Sequence, residues 1–526
     1  LKRNLRLIIP FFLCLSACGW FKPVPEVGSV LAEHLDNKLY KKFDTAAYIP
    51  VFRRVADSLA SHFSNPQTIR SLYAAQEYEP HLVQSFYATG GLDSLRDYLK
   101  RADLHGLDPK IFRLKQIEAL LAQLNANRFS SIEEVYPVVA ALELNAAEGL
   151  LKYSNFLKFG AVNPRKLLSR FYIRIGRPDS TFMKQVLQTD DLLKTLESVQ
   201  PASEAYKQMQ AALAAYRRSG ADQQTLRTLK INMERMRWQM PANEDDEMVL
   251  VNIPDFSLTW FDKTDTLAFM KVCVGGPREK AYEEKMKRYL QTGSLDDKPR
   301  NHETPLLASR INSIQANPIW NIPVSIAQSE IYYQALKDPY YLSNSNIKVY
   351  RKGVEIGEPD TIQWSRYPRN KLPYQFKQGS GEGNALGKFK FIFNNGSSIY
   401  LHDTNNKYGF KLRNRAISHG CVRIEKPLEF AELLVRSKSQ YDLLRMEVDL
   451  PPLDTTKMPI FRRKQERKRD TVNSYQLRPK WFGTKKPVYL LISYQTAWPQ
   501  NGRIEFRTDV YGHDEILWRS LKKYAA

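Results

Sequence analysis

Tyr400-Leu401-His402-Asp403-Thr404 and Ser418-His419-Gly420-Cys421-Val422-Arg423, with residues 403 to 417 between His402 and Ser418, form the stretch that decides how this chain is read. A free thiol with a pKa near ~8.5 is only a few per cent thiolate at neutral pH, so an attacking cysteine needs a base within hydrogen-bond reach. His402, at the end of a strand expected over Ser398 to Leu401, reaches Cys421 if the intervening loop doubles back. Gly420 lets the backbone approach closely and leaves amide N–H groups for a developing oxyanion. A competing reading makes His402, His419 and Cys421 three zinc ligands, although no fourth ligand or catalytic glutamate stands nearby. For His419 a structural hydrogen bond competes with a catalytic role. For Arg423 an internal ion pair competes with a clamp on a substrate carboxylate.

Outward from this stretch, the sequence changes period near residue 248. Met248 to Ile253 and Leu267 to Val274 read as strands flanking a polar turn at Asp262 to Asp265, with Cys273 a small buried hydrophobe. Strands return at Lys388 to Phe393, Ser398 to Leu401 and Val488 to Tyr494. Two insertions interrupt them: a charged one, Arg278 to Arg300, and a tyrosine-rich one, Ile326 to Gln378. From about residue 28 to 240 the pattern is helical. Ser203 opens a helix whose buried stripe is Tyr206, Met209, Leu213 and Tyr216, closed by Gly220; Leu144, Ala147 and Leu151 repeat that geometry before Gly160. His105 to Pro109 breaks two further helical segments. The run Arg462 to Arg469 reads as a solvated linker.

The 526 residues are 43% hydrophobic, 12% aromatic and 25% charged, which excludes a disordered, collagen-like or polytopic membrane protein. Lys and Arg number 78 against 56 acids, a net +22, so polyanions and anionic surfaces are the natural partners. No nucleic-acid-binding signature accompanies that charge, and none is expected as a partner. Cys14, Cys18, Cys273 and Cys421 are too few and too scattered for a disulfide scaffold. Lys2, Arg3 and Arg6 precede an apolar run, Leu7 to Leu15, too short to span a bilayer permanently, as in an export signal. Leu15-Ser16-Ala17-Cys18 resembles a bacterial lipobox, which makes Cys18 the expected lipid-attachment residue.

The spacing from His402 to Ser418-His419-Gly420-Cys421-Val422-Arg423 resembles the signature of the L,D-transpeptidase (YkuD-like) catalytic domain. Asn384 to Phe391, Tyr400 to Thr404, Asn317 to Pro323, Asn232 to Arg235, Tyr494 to Trp498 and Phe506 to Gly512 are similar to its large multidomain branch. The resemblance implies an α+β protein: an all-α scaffold domain, then a mostly β catalytic domain with an inserted capping subdomain. The implied division is a leader over 1–17, a tether and the start of the scaffold over 18–60, the helical scaffold domain over 61–240, the catalytic domain over 247–450 with its lid at 326–378, and an extension over 451–526 that returns a strand. The implied activity is peptidoglycan cross-linking: Cys421 as nucleophile, His402 as base, Tyr400 and the Gly420 backbone stabilising the oxyanion, and His419, Arg423, Ser418 and Asn384 binding substrate. Its substrates are a donor tetrapeptide stem and an acceptor diaminopimelate, with no cofactor and no metal; other cell-wall enzymes are conceivable partners. A hydrolase using water, or a non-catalytic envelope scaffold, are the alternatives. With Gly19 following Cys18, the expected address is the outer membrane of a Gram-negative envelope, facing the periplasm. Gly220 to Asn232 is too short to hold the small peptidoglycan-binding module that often precedes this catalytic domain.

Overall fold

The computed structural model describes residues 25–240, 245–263, 265–470 and 477–526, so the leader and Cys18 lie outside the described residues. The described chain forms two compact units, one of residues 25–158, 178–201 and 524–526, the other of 159–177 and 202–523. Among the described residues no helix is long and apolar enough to cross a membrane.

The first unit is helical. Along the helix Ile132–Phe159, Leu144, Ala147 and Leu151 are fully buried. Glu143 on the same helix is buried too, and accepts from the Tyr73 hydroxyl at 2.5 Å and from the Leu82 and Val83 N–H groups at 2.9 and 2.8 Å. A carboxylate without water survives only with such donors, and here they fix the first turn of the helix His81–Phe86. Gly106, at φ 74°, and Asp108, whose carboxylate caps the turn Pro109–Phe112, make the break between helices.

The second unit opens its long segment with the helices Glu204–Arg218 and Gln223–Arg237, the first capped by Ser203. Tyr206, Met209 and Leu213 form the expected stripe and pack on Leu226, Leu229, Met233 and Ala497. Asn232 exchanges hydrogen bonds with Thr496 at 2.8 and 3.0 Å, and Arg235 pairs with buried Asp514 at 2.7 Å. Segments far apart in sequence thus meet in one polar clasp.

In chain order the strands are β1 Glu247–Asn252, β2 Ser257–Asp262, β3 Asp265–Gly275, β4 Leu307–Ala316, β5 Trp320–Ile322, β6 Ile347–Arg351, β7 Val354–Ile356, β8 Gln375–Gln378, β9 Phe389–Phe393, β10 Leu401–His402, β11 Ala416–Ser418, β12 Val422–Ile424, β13 Lys480–Ser493, β14 Ala497–Gln500 and β15 Arg503–Phe506. Nine of them form one sheet in the order β11-β3-β12-β10-β9-β4-β13-β1-β2, and β2 pairs back onto β3, closing it. Closure removes the exposed edges of an open sheet. Inside, Phe430 of the helix Pro427–Leu434 meets Trp260 and Phe391 edge to face, at centroid distances of 5.3 and 4.8 Å. Buried side chains of this size contribute about 1.5–3 kcal/mol each.

Two local expectations are corrected. The sequence reading passes from Ile253 to the polar turn without a strand, but β2 lies between them and pairs with both β1 and β3. The run Arg462 to Arg469 belongs to the helix Met458–Asp470 and is no linker: Lys464 pairs with Glu447 at 2.8 Å and Lys468 with Asp449 at 2.6 Å. The tyrosines of the second insertion largely build its own core. Strands β5 to β8 form a separate sheet over Ile326, Ile331, Leu342, Val349, Trp364 and Phe376, with Tyr332, Tyr341, Tyr367 and Tyr374 packed into that core. The charged insertion forms a surface helix, Tyr282–Thr292, with no buried residue.

At Gly275 the end of β3 passes so close to its neighbours that an added Cβ would lie 1.7 Å from the His302 carbonyl oxygen and 2.9 Å from Gly420 Cα. At Gly276 the nearest atom is 3.6 Å away. Gly275→Ala should therefore destabilise the protein by about 1–3 kcal/mol in denaturant unfolding, the scale of overpacking, while Gly276→Ala changes it far less.

Candidate active site

The site is a product of strand register. β10 pairs in parallel with β12, placing Leu401 opposite Val422 and His402 opposite Arg423. β9 lies antiparallel on the other side, with Lys390 opposite His402, and β3 places Cys273 opposite Arg423. Alternation along strands sends neighbouring residues to opposite faces: Phe391, Leu401 and Val422 enter the core, and Lys390, His402 and Arg423 form a row on the other face. One step back, the Val422 N–H donates to the Tyr400 carbonyl at 3.2 Å, which sets Tyr400 beside Cys421 on that same face. Cys421 is half-buried.

His402 is 4% exposed, and its Nδ1 bonds the Asp403 backbone carbonyl. A carbonyl only accepts, so Nδ1 carries the proton and Nε2 presents its lone pair. Burial, then the charge of Arg423, holds the imidazole pKa down to about 3, so the ring is a neutral base at physiological pH. The Asp403 carboxylate keeps that carbonyl in place, accepting from the Thr404 N–H at 2.7 Å, the Lys388 N–H at 2.8 Å and Lys407 Nζ at 2.5 Å. Gly387, at φ 61°, is required beneath it, since a Cβ there would sit 2.4 Å from Asp403 Cγ.

Burial pushes the Cys421 thiol up, and the Tyr400 backbone, Lys390, the Tyr400 hydroxyl and Arg423 each pull it back toward the thiolate. Lys390 Nζ lies 3.8 Å from the Tyr400 ring centroid. Burial, then the charge of Cys421, raises the Tyr400 hydroxyl pKa, so it remains a donor. Among the described residues no carboxylate pairs with Arg423, and its Nε is buried without a partner. The internal ion pair is therefore not formed, and the guanidinium is left for an anionic group.

The turn that carries Cys421 is tied from below. The Ser418 hydroxyl donates to the Cys421 carbonyl at 2.6 Å and accepts from the Gly420 N–H at 3.1 Å. Ser418, expected to bind substrate, instead shapes the turn. The Gly420 N–H, expected at the oxyanion, is already engaged; among the described residues the Cys421 N–H makes no hydrogen bond and lies on the same turn. Thr304 donates to the Gly420 carbonyl and accepts from the Gly275 N–H, both at 2.8 Å, and the Tyr511 hydroxyl bridges the Thr304 N–H and the Gly275 carbonyl at 3.1 and 2.6 Å. Thr304 lies outside the quoted motifs, and Tyr511, although within Phe506 to Gly512, was given no role by the sequence. Asn384, also expected at the substrate, is 1% exposed, and its amide bonds the Pro318 and Gly379 carbonyls and the Leu386 N–H. It ties the two stems of the second insertion together. His419 stands on the open side of the turn, bonded through Nε2 to Glu330 of that insertion at 2.5 Å, with its ring centroid 4.5 Å from that of His302. Among the described residues no three His, Cys, Asp or Glu side chains gather as a metal site.

The depressed pKa of His402 has a thermodynamic counterpart. Below pH 6.5 the unfolded chain binds a proton at residue 402 that the folded chain refuses until about pH 3, so stability falls as pH falls through that window. At about 1.4 kcal/mol per unit, denaturant unfolding between pH 7 and pH 5 should show a loss of about 2 kcal/mol in the wild type that is missing from His402→Gln.

Residues 246–488 match the L,D-transpeptidase catalytic domain family, YkuD, and residues 67–213 match a family described as a scaffold domain. The chain is also 27% identical over 344 residues to a Haemophilus influenzae protein named "Putative L,D-transpeptidase", an alignment that covers 64% of this chain and 60% of that relative. Cys421, His402 and most of the closed sheet lie inside the first of these matched regions, so the chain carries an L,D-transpeptidase (YkuD) catalytic domain, preceded in sequence by a scaffold domain.

Proposed function

We propose that the protein forms 3→3 cross-links in peptidoglycan through a thioester on Cys421. The observation that carries this reading is the single row in which a neutral buried imidazole stands between two cations, next to a half-buried thiol. In the first half-reaction His402 Nε2 takes the thiol proton and Sγ attacks the carbonyl of the third stem residue. The Tyr400 hydroxyl and the Cys421 N–H face the oxygen on which charge develops, Lys390 and Arg423 offset that charge, and His402 returns its proton to the departing D-alanine. In the second half-reaction the side-chain amine of a diaminopimelate on a neighbouring stem attacks the thioester, and the thiol is restored. No cofactor enters either step. A strained β-lactam carbonyl follows the first half-reaction only, so intact-protein mass spectrometry should show one carbapenem adduct, absent in Cys421→Ala. It should form on the order of 10²-fold more slowly in His402→Ala, the usual scale of a lost general base. An adduct that persists in Cys421→Ala would refute the thioester mechanism.

The location follows from Leu15-Ser16-Ala17-Cys18: we propose a lipoprotein anchored at Cys18 to the outer membrane and facing the periplasm. Acyl chains contribute about 0.8 kcal/mol per buried methylene, so a multiply acylated cysteine holds the protein permanently. Cells labelled with a clickable fatty acid should yield labelled wild-type protein in the outer-membrane fraction and none from Cys18→Ser. Label retained by Cys18→Ser, or a wholly soluble wild type, would reduce the segment to a cleaved export signal.

A further inference from the structure

The catalytic row poses an electrostatic difficulty for the second half-reaction. A diaminopimelate side-chain amine arrives as an ammonium at neutral pH, and the groups it meets on the catalytic face, Lys390 and Arg423, are cations that no carboxylate neutralises among the described residues. Water meets no such barrier. Unless a negative charge stands at the entrance, an acyl-enzyme in this field is hydrolysed in preference to being transferred.

One carboxylate is placed to provide it. Glu330 lies in the π-helical turn Ala327–Ile331 of the lid, a wide turn that is rare and frequent at functional sites. Its Oε1 accepts from His419 Nε2 at 2.5 Å, and His419 is two residues before the nucleophile. The His419 bond, ahead of the other causes, holds the Glu330 carboxyl below its ordinary range, so it is an anion at neutral pH. Its side chain is 49% exposed, and Oε2 has no partner among the described residues. His419 is fixed from its other side by the His302 ring. The nearby acid Glu303 is 1% exposed and is committed to Arg278 at 3.1 Å, so it cannot serve.

Resting on the transpeptidase reading above, we infer that Glu330 is the residue that recognises the acceptor: its free oxygen binds the incoming ammonium and holds it over the thioester at Cys421. As the amine attacks, the C–N bond forms and the C–S bond breaks. Of the two protons the ammonium gives up, one returns to Sγ through His402 and the other leaves to solvent. Glu330 thereby selects transfer over hydrolysis, and it selects cationic amines among acceptors.

The test reads how one acyl-enzyme divides between its two fates, so a slower first half-reaction cancels. Full-length protein is given donor tetrapeptide and an acceptor stem, and cross-linked and hydrolysed products are counted by mass spectrometry. Glu330→Gln keeps an oxygen to accept from His419 and loses only the charge; the ratio of transfer to hydrolysis should fall roughly 10- to 100-fold, the scale of one hydrogen bond to a charged partner. It should recover at alkaline pH, where the amine arrives neutral. In the wild type, added salt should lower the ratio for the ammonium acceptor and leave it unchanged for hydroxylamine, which is neutral at pH 7. An unchanged ratio in Glu330→Gln, or salt acting equally on both acceptors, overturns the assignment while the transpeptidase reading stands. A wild type that forms no acyl-enzyme overturns that reading and this one with it.

Discussion

The parallel pairing of Leu401–His402 with Val422–Arg423 is the constraint on which the site depends. Parallel neighbours require a crossover, and the chain between His402 and Ser418 supplies it. Side chains alternate along each strand, so a slip of one residue would turn His402 into the core and Leu401 out to solvent. The aromatic packing of Phe391 against Phe430 resists such a slip, because it fixes which face of β9 is buried. Core hydrophobicity and the chemistry of the outer face are thus set by one register.

Around that row, rigidity comes from polar groups whose donors and acceptors are matched. The hydroxyls of Ser418, Thr304 and Tyr511 each donate one hydrogen bond and accept another within the Cys421 turn and its supports. Buried networks satisfied in this way specify a single geometry. Among the described residues Lys390 and Arg423 have no carboxylate partner, and in the proposed mechanism they offset the charge that develops during reaction. Burial lowers the pKa of both His402 and Lys390, and the charges of Arg423 and Lys390 add to the shift at His402.

How much of this was legible in the sequence divides along a physical line. The change from helical to alternating period near residue 248 is a local signal, and it gave the α+β class; the stripe Tyr206, Met209, Leu213 behind Ser203 was readable for the same reason. Strand β2 escaped because it follows a tight reversal at Asp255 and Phe256, the latter at φ 53°, so its pattern seemed part of one turn. The Arg462 to Arg469 run was misread because the acids that neutralise it, Glu447 and Asp449, are neighbours only after folding. Cys421, His402 and Tyr400 stood out as rare types at a set spacing, and the sheet does bring them to one face. Thr304 and Glu330 carry no comparable mark, and Lys390 and Tyr511 lie in stretches similar to the family's large branch without any sign there of what they contact. An ordinary threonine or tyrosine gains its role here from a register and a crossing that no window of sequence contains.

The Tyr511 hydroxyl, which spans Thr304 and Gly275 beneath the Cys421 turn, also orders events in time. A chain made from its N-terminus exposes Cys421 well before Tyr511 exists, and β13, which fills the gap between β4 and β1, comes later still than the cysteine. Contacts of such long sequence separation form late. Until residue 511 is made, Thr304 and Gly275 lack the hydroxyl that bridges them, and a fragment ending before Tyr511 carries the full motif without that support for its turn.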